Sequence, residues 1–136
     1  MLIYVAGPLF NAHERWYLEQ IAARLEAAGY RTFLPHRDAG DLPSTEDNDR
    51  RSVFHADFDA MNACDGCVAL LTGADHDSGT SAEVGYLSAR GKPCIGITDD
   101  LRWLNNMLWG FCGEGRQIVR SLDELEAMVS KVIPLA

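Results

Sequence analysis

Two carboxylates stand six residues apart in the run Asp77-Ser78-Gly79-Thr80-Ser81-Ala82-Glu83-Val84-Gly85-Tyr86. The apolar stretch 67–71 ahead of it reads as a buried strand, so the run falls at a strand's carboxyl end, where open α/β sheets bind ligands. Gly79 would let a ligand approach the backbone there. Glu83 itself has two readings. Thr80-Ser81-Ala82-Glu83 fits a capping box, in which the fourth residue only reaches back to a backbone N–H; Asn11-Ala12-His13-Glu14 and Ser121-Leu122-Asp123-Glu124 repeat that spacing at two other expected helix starts. The chemical reading places Glu83 in a helix's first turn, where the macrodipole favours an ionised carboxylate, the form a nucleophile must take.

A third acid comes from elsewhere in the chain. Val53, Phe54, Phe58 and Met61 share one stripe of an expected helix, and Asp57 lies on that same apolar face. Either a helix end or hydroxyl satisfies this inward acid, or desolvation raises its pKa so that it holds a proton to donate. Two acids whose environments drive their pKa values apart suit glycosidic chemistry, in which one carboxylate attacks the anomeric carbon and the other assists the leaving group. Tyr4, in the first strand, is either a core aromatic or the phenol that orients Glu83.

Positioning these groups requires an alternation of strands and helices, which the chain shows from end to end. Strands are expected at residues 2–6, 30–34, 67–71, 93–97 and 117–119. Helices are expected at 11–28, 45–63, 80–90 and 121–132, with a short helical or irregular piece at 101–109 and a surface loop at 35–44. The pattern predicts one α/β domain over 1–136, with a flavodoxin-like or Rossmann-like five-stranded parallel sheet and helices on both faces. The first turn, Ala6-Gly7-Pro8-Leu9-Phe10, lacks a dinucleotide fingerprint, and no Gly-Lys-Ser/Thr phosphate loop occurs.

Composition narrows the partners. The 136 residues are 47% hydrophobic, enough for a core without staples. Twenty acids against twelve bases give a net charge of −8, which argues against nucleic-acid or anionic-membrane surfaces and favours a small, weakly charged ligand. No signal peptide precedes the strand starting at Leu2 and no apolar run approaches the ~20 residues of a membrane span, so a cytoplasmic location is expected. Cys64 and Cys67 lack a second ligand pair and, with Cys94 and Cys112, read as buried thiols; His13, His36, His55 and His76 lack ligand spacing, so no metal site is expected. Trp103, Trp109 and Phe111 around Asn105-Asn106 read as packing over the sheet edge or as a subunit interface.

Over nearly its whole length the chain resembles the nucleoside 2-deoxyribosyltransferase family. Tyr4-Val5-Ala6-Gly7-Pro8, Asp77-Ser78-Gly79-Thr80 with Glu83-Val84-Gly85-Tyr86, and the segment from Asn105 to Gly110 are similar to that family's motifs. The resemblance implies a double displacement in which Glu83 attacks C1′ of a 2′-deoxynucleoside, the base leaves, and a second base takes the sugar from the glutamyl ester, with no metal or organic cofactor. It implies Tyr4 as the partner of Glu83 and Asp57 as the proton handler at the leaving base. Asp77 would bind the sugar 5′-hydroxyl, with Gly7 and Gly79 lining the substrate site. Asn105 would join Asp77 from a neighbouring subunit, making the active unit a homo-oligomer acting on a nucleoside and a free nucleobase. An anionic Asp77 would repel a 5′-phosphate, whereas Arg37 would attract one, so N-glycosidase activity on nucleosides or their monophosphates is the alternative. A non-catalytic nucleotide-sensing module on the same sheet is a third reading.

Overall fold

The computed structural model describes residues 1–136. Five strands, β1 (Leu2–Ala6), β2 (Arg31–Phe33), β3 (Gly66–Leu70), β4 (Cys94–Ile97) and β5 (Ile118–Val119), form one parallel sheet in the order β2-β1-β3-β4-β5. That is the flavodoxin-like doubly wound order, with its switch point between β1 and β3. Six helices accompany them: α1 (Ala12–Ala27), α2 (Pro35–Asp38), α3 (Asp47–Ala63), α4 (Ser78–Ala89), α5 (Asn106–Phe111) and α6 (Leu122–Val132).

Alternate strand residues serve two cores, as the two-residue period requires. Ile3, Val5, Val68, Leu70, Ile95 and Ile97 pack under α1 and α6 with Leu18, Ile21, Leu25, Leu125 and Val129. Tyr4, Ala6, Cys67, Ala69 and Cys94 face the other way, toward Met61, Val84, Leu87 and Leu108 of α3, α4 and α5. All four cysteines are free and buried on that second side. No helix is long and apolar enough to cross a membrane.

Several boundaries differ from the sequence expectation for local reasons. Tyr30 does not join the ladder, because its N–H bonds back to Leu25 O while its hydroxyl donates to Ile133 O at 2.8 Å. Within the expected 35–44 loop, α2 forms because Pro35 supplies a helical φ and Asp38 Oδ2 accepts the Leu34 N–H at 2.8 Å. The expected 101–109 piece shifts to 106–111, where Asn105 caps the helix by accepting the N–H groups of Met107 and Leu108. The strand β3 begins one residue early, at Gly66, where a Cβ would meet Ile133 Cδ1 at 2.3 Å; only glycine fits beneath the C-terminal segment.

Candidate active site

Asp77 sets the frame of the site. Its Oδ2 accepts both the Thr80 N–H at 2.8 Å and the Thr80 hydroxyl at 2.7 Å, so it is the N-cap and α4 starts at Ser78. Thr80 is therefore inside the helix, and the expectation that it caps α4 with Glu83 reaching back is corrected. Glu83 lies in the second turn and accepts no backbone N–H. The other two openings behave as capping predicts: Glu14 Oε1 accepts the Phe10 N–H at 3.2 Å and Glu124 Oε2 accepts the Arg120 N–H at 2.8 Å. Of three glutamates at the same spacing, Glu83 alone is turned away from the backbone.

It turns toward β1. Tyr4 is fully buried, its ring stacked on Phe33 with centroids 5.6 Å apart, and its hydroxyl donates a short hydrogen bond to Glu83 Oε2. Both readings of Tyr4 hold together, since the ring belongs to the core and the oxygen to the site. Burial and the Glu83 charge push the phenol well above its ordinary range, so it remains a donor. Burial pushes the Glu83 carboxyl up to about 7, the Tyr4 hydrogen bond opposes this, and the nearby charges of Asp57 and Asp77 add to it. The expectation of an acid held ionised by the macrodipole is corrected: in the second turn that field has fallen off, and burial dominates.

Asp57 faces the same space from α3. Its Oδ1 is buried without a hydrogen-bond partner, and desolvation raises the carboxyl to about 6. The stripe that carries it faces a cavity instead of packing fully into the core: Met61 is buried, but Phe54 is 56% exposed. Phe54 stacks on Phe58 and Phe58 tilts against Tyr86, giving one aromatic wall.

The cavity so enclosed has a volume of about 770 Å³ and lies at the carboxyl ends of β1 and β3, over the switch point. Glu83, Asp57, Asp77, Gly79 and Gly7 all line it, with Phe10, Leu42, Phe54 and Tyr86 among the apolar groups. Gly7 has a packing reason as well, because a Cβ there would come within 2.5 Å of Leu18 Cδ2. Asn105 is not brought into this cavity; it lies beside His76, whose Nε2 accepts the Asn105 N–H at 3.2 Å. Arg37 does not line the cavity either: its guanidinium is engaged by Asp38, by Glu26 at 2.9 Å and by Thr32 O. Sequence reasoning missed Arg50, which does line the cavity; its spacing seven residues before Asp57 was the available signal. A second cavity of about 550 Å³ opens between α1 and α6, but its cationic groups are engaged, Arg24 by the Asp123 carboxylate at 3.1 Å and Arg120 by the Asp99 backbone carbonyl at 2.8 Å.

Known proteins share this fold. A conserved protein of Enterococcus faecalis V583 superposes with a TM-score of 0.78 at 25% identity, covering 96% of this chain and 98% of that one. A 2-deoxyribosyltransferase from Bacillus psychrosaccharolyticus gives 0.81 at 21% identity over 93% and 90% of the two chains, and shares the fold. The CMP N-glycosidase BcmB of Clostridium botulinum shares it more loosely, with a TM-score of 0.61 at 20% identity over 96% and 98%. An uncharacterized protein of Schizosaccharomyces pombe is 29% identical over 107 residues, 74% of this chain; the chain spans about half (51%) of that relative's length. The family model for nucleoside 2-deoxyribosyltransferase matches residues 3–122, and the chain belongs to that family.

Proposed function

We propose that the protein transfers a 2-deoxyribosyl group between nucleobases through a covalent ester on Glu83. The observation that carries this reading is the hydrogen bond from the buried Tyr4 hydroxyl to Glu83, which lines a cavity that Asp57, with its unpartnered oxygen, also lines. A glutamate freed from capping and aimed by a buried phenol is arranged as a nucleophile.

In the first half-reaction a Glu83 carboxylate oxygen bonds to C1′ as the C1′–N bond breaks. The bonding pair leaves with the base nitrogen, and the Asp57 carboxyl supplies the proton. In the second, an acceptor base nitrogen attacks C1′, the ester bond breaks with its electrons returning to Glu83, and Asp57 takes the acceptor's proton. Burial raises Glu83 to about 7 and Asp57 to about 6, so a proton shared by the pair rests mainly on Glu83 in the free protein, and the reaction requires its transfer to Asp57. Placing it on Asp57 removes the charge that opposes ionisation of Glu83, so a single proton gives one acid and one nucleophile. The chain's own side chains suffice for each step, with Asp77 accepting the sugar 5′-hydroxyl and its charge disfavouring a 5′-phosphate. Asn105, outside the cavity of its own chain, would reach Asp77 from a second copy in a homo-oligomer.

The test is intact-protein mass spectrometry after incubation with a 2-fluorinated arabinonucleoside, which traps a glutamyl ester because fluorine slows its breakdown. An adduct on a peptide containing Glu83 is expected. No adduct, together with no base exchange between deoxyinosine and adenine, would overturn the reading. N-glycosidase action is the second reading, favoured by the exposed rim at Phe10 and Leu42, which admits water; free base without deoxyadenosine would select it.

A further inference from the structure

Arg50 stands exposed in the first turn of α3 and is the single basic residue lining the cavity, which also carries Asp57, Asp77 and Glu83. It makes no ion pair; its one hydrogen bond runs from Nε to Thr45 O at 3.0 Å, so both terminal nitrogens are free. Arg37, by contrast, is held by Asp38 and Glu26 and does not line the cavity, so Arg50 alone offers the cavity unpaired guanidinium donors. Resting on the proposed transfer reaction, we infer that Arg50 is the base-reading residue of the site and selects a 6-oxopurine, hypoxanthine or guanine, through a paired hydrogen bond to O6 and N7.

The helix supplies the ruler. Arg50, Phe54, Asp57, Phe58 and Met61 follow one another at spacings of four, three, one and three, so all fall on one stripe, and all five line the cavity. Asp57 must stand at the nitrogen of the breaking bond if it supplies the proton. Arg50 is seven residues earlier, about 10 Å along the axis. A base leaving C1′ beside Asp57 therefore extends past the exposed Phe54 ring, which offers it a stacking face, with its far edge toward Arg50. That span fits a fused bicyclic base more closely than a single ring.

Hydrogen-bond polarity then selects among purines. A guanidinium has only donors. The far edge of hypoxanthine or guanine presents two acceptors, O6 and N7, in the fork geometry that arginine matches. Adenine presents N7 beside an amino group, whose hydrogens would face those of Arg50. A 5′-phosphate is the competing partner for a free guanidinium, but the sugar end of the site carries Asp77, and Arg50 lies beyond the base on the same stripe.

The experiment measures equilibrium binding of deoxyinosine, deoxyadenosine, thymidine and deoxyinosine 5′-monophosphate to the full chain carrying Glu83→Ala, with and without Arg50→Met. Turnover is not needed, so the result is separable from the transfer chemistry. The protein with Arg50 is expected to prefer deoxyinosine over deoxyadenosine, and Arg50→Met to reduce that ratio about tenfold to a hundredfold. A ratio unchanged by Arg50→Met overturns the inference. So does a loss confined to the monophosphate, which would make Arg50 a phosphate contact, or an equal loss for thymidine and deoxyinosine, which would make it a general one. If the trapping experiment fails while the deoxyinosine preference follows Arg50, the transfer reading falls and the base assignment stands.

Discussion

Asp77 Oδ2 holds both the backbone N–H and the hydroxyl of Thr80, and this fork decides where Glu83 points. By starting α4 at Ser78 it moves Glu83 from the capping position to the second turn, directly over Tyr4. Asp77 thus has a structural task at Oδ2 before any substrate arrives.

The two tasks separate by substitution. Asp77→Asn keeps a good cap and is expected to stay within about 0.5 kcal/mol of the parent, whereas Asp77→Ala loses about 1 kcal/mol in urea unfolding. Removing the charge also removes repulsion toward a 5′-phosphate. Asp77→Asn should therefore raise the kcat/KM ratio of deoxyinosine 5′-monophosphate to deoxyinosine by at least about tenfold, which takes only about a third of the ~4 kcal/mol between unit charges about 4 Å apart at an effective dielectric of about 20.

Tyr4→Phe leaves the stacked, buried ring in place and deletes only the donor to Glu83. Because that hydrogen bond lowers the Glu83 pKa, its loss shifts ionisation to higher pH. The acidic limb of the kcat/KM profile should move alkaline, and exchange at pH 6 should fall about a hundredfold, the scale of one lost orienting interaction in a site. An unmoved limb would show that the phenol does not act on Glu83.

The raised acids also make stability depend on pH. Glu83 binds its proton more tightly when folded, about 7 against an ordinary 4.5. Its contribution is complete below about pH 4.5 and is lost as pH rises through 7, up to about 3 kcal/mol for a shift of that size. Glu83→Gln, neutral at every pH, should raise Tm by up to about 10 °C at pH 8 and give no gain at pH 4. Calorimetry at the two pH values checks the sign.

Gly7→Ala would place a methyl 2.5 Å from Leu18 Cδ2. Leu18 is fully buried in the α1 core, so the overpacking should cost about 1–3 kcal/mol. Since Gly7 also lines the cavity, KM for a nucleoside should rise in the same variant, measurable below the temperature at which it unfolds.

The sheet was legible because its strands are apolar runs between helices with clear stripes, and the structure changes their ends by only a residue or two. Asp57 was legible for a related reason, as an acid on an apolar stripe. The orientation of Glu83 was not, because Asp77 and Thr80 both cap well, and the sequence does not say which one does. The apolar stripe of α3 is legible in sequence, but that part of it walls a cavity depends on what packs opposite. Arg50 shares the helical stripe of Asp57, seven residues before it, but that spacing alone does not say that the stripe borders a cavity at that point.

Asn105 directs its side-chain carbonyl inward, onto the N–H groups of Met107 and Leu108. Its outward face is consequently reduced to the two hydrogens of the amide nitrogen. Whatever Asn105 meets beyond its own helix must accept, and a carboxylate or an ether oxygen qualifies where a hydroxyl seeking an acceptor does not.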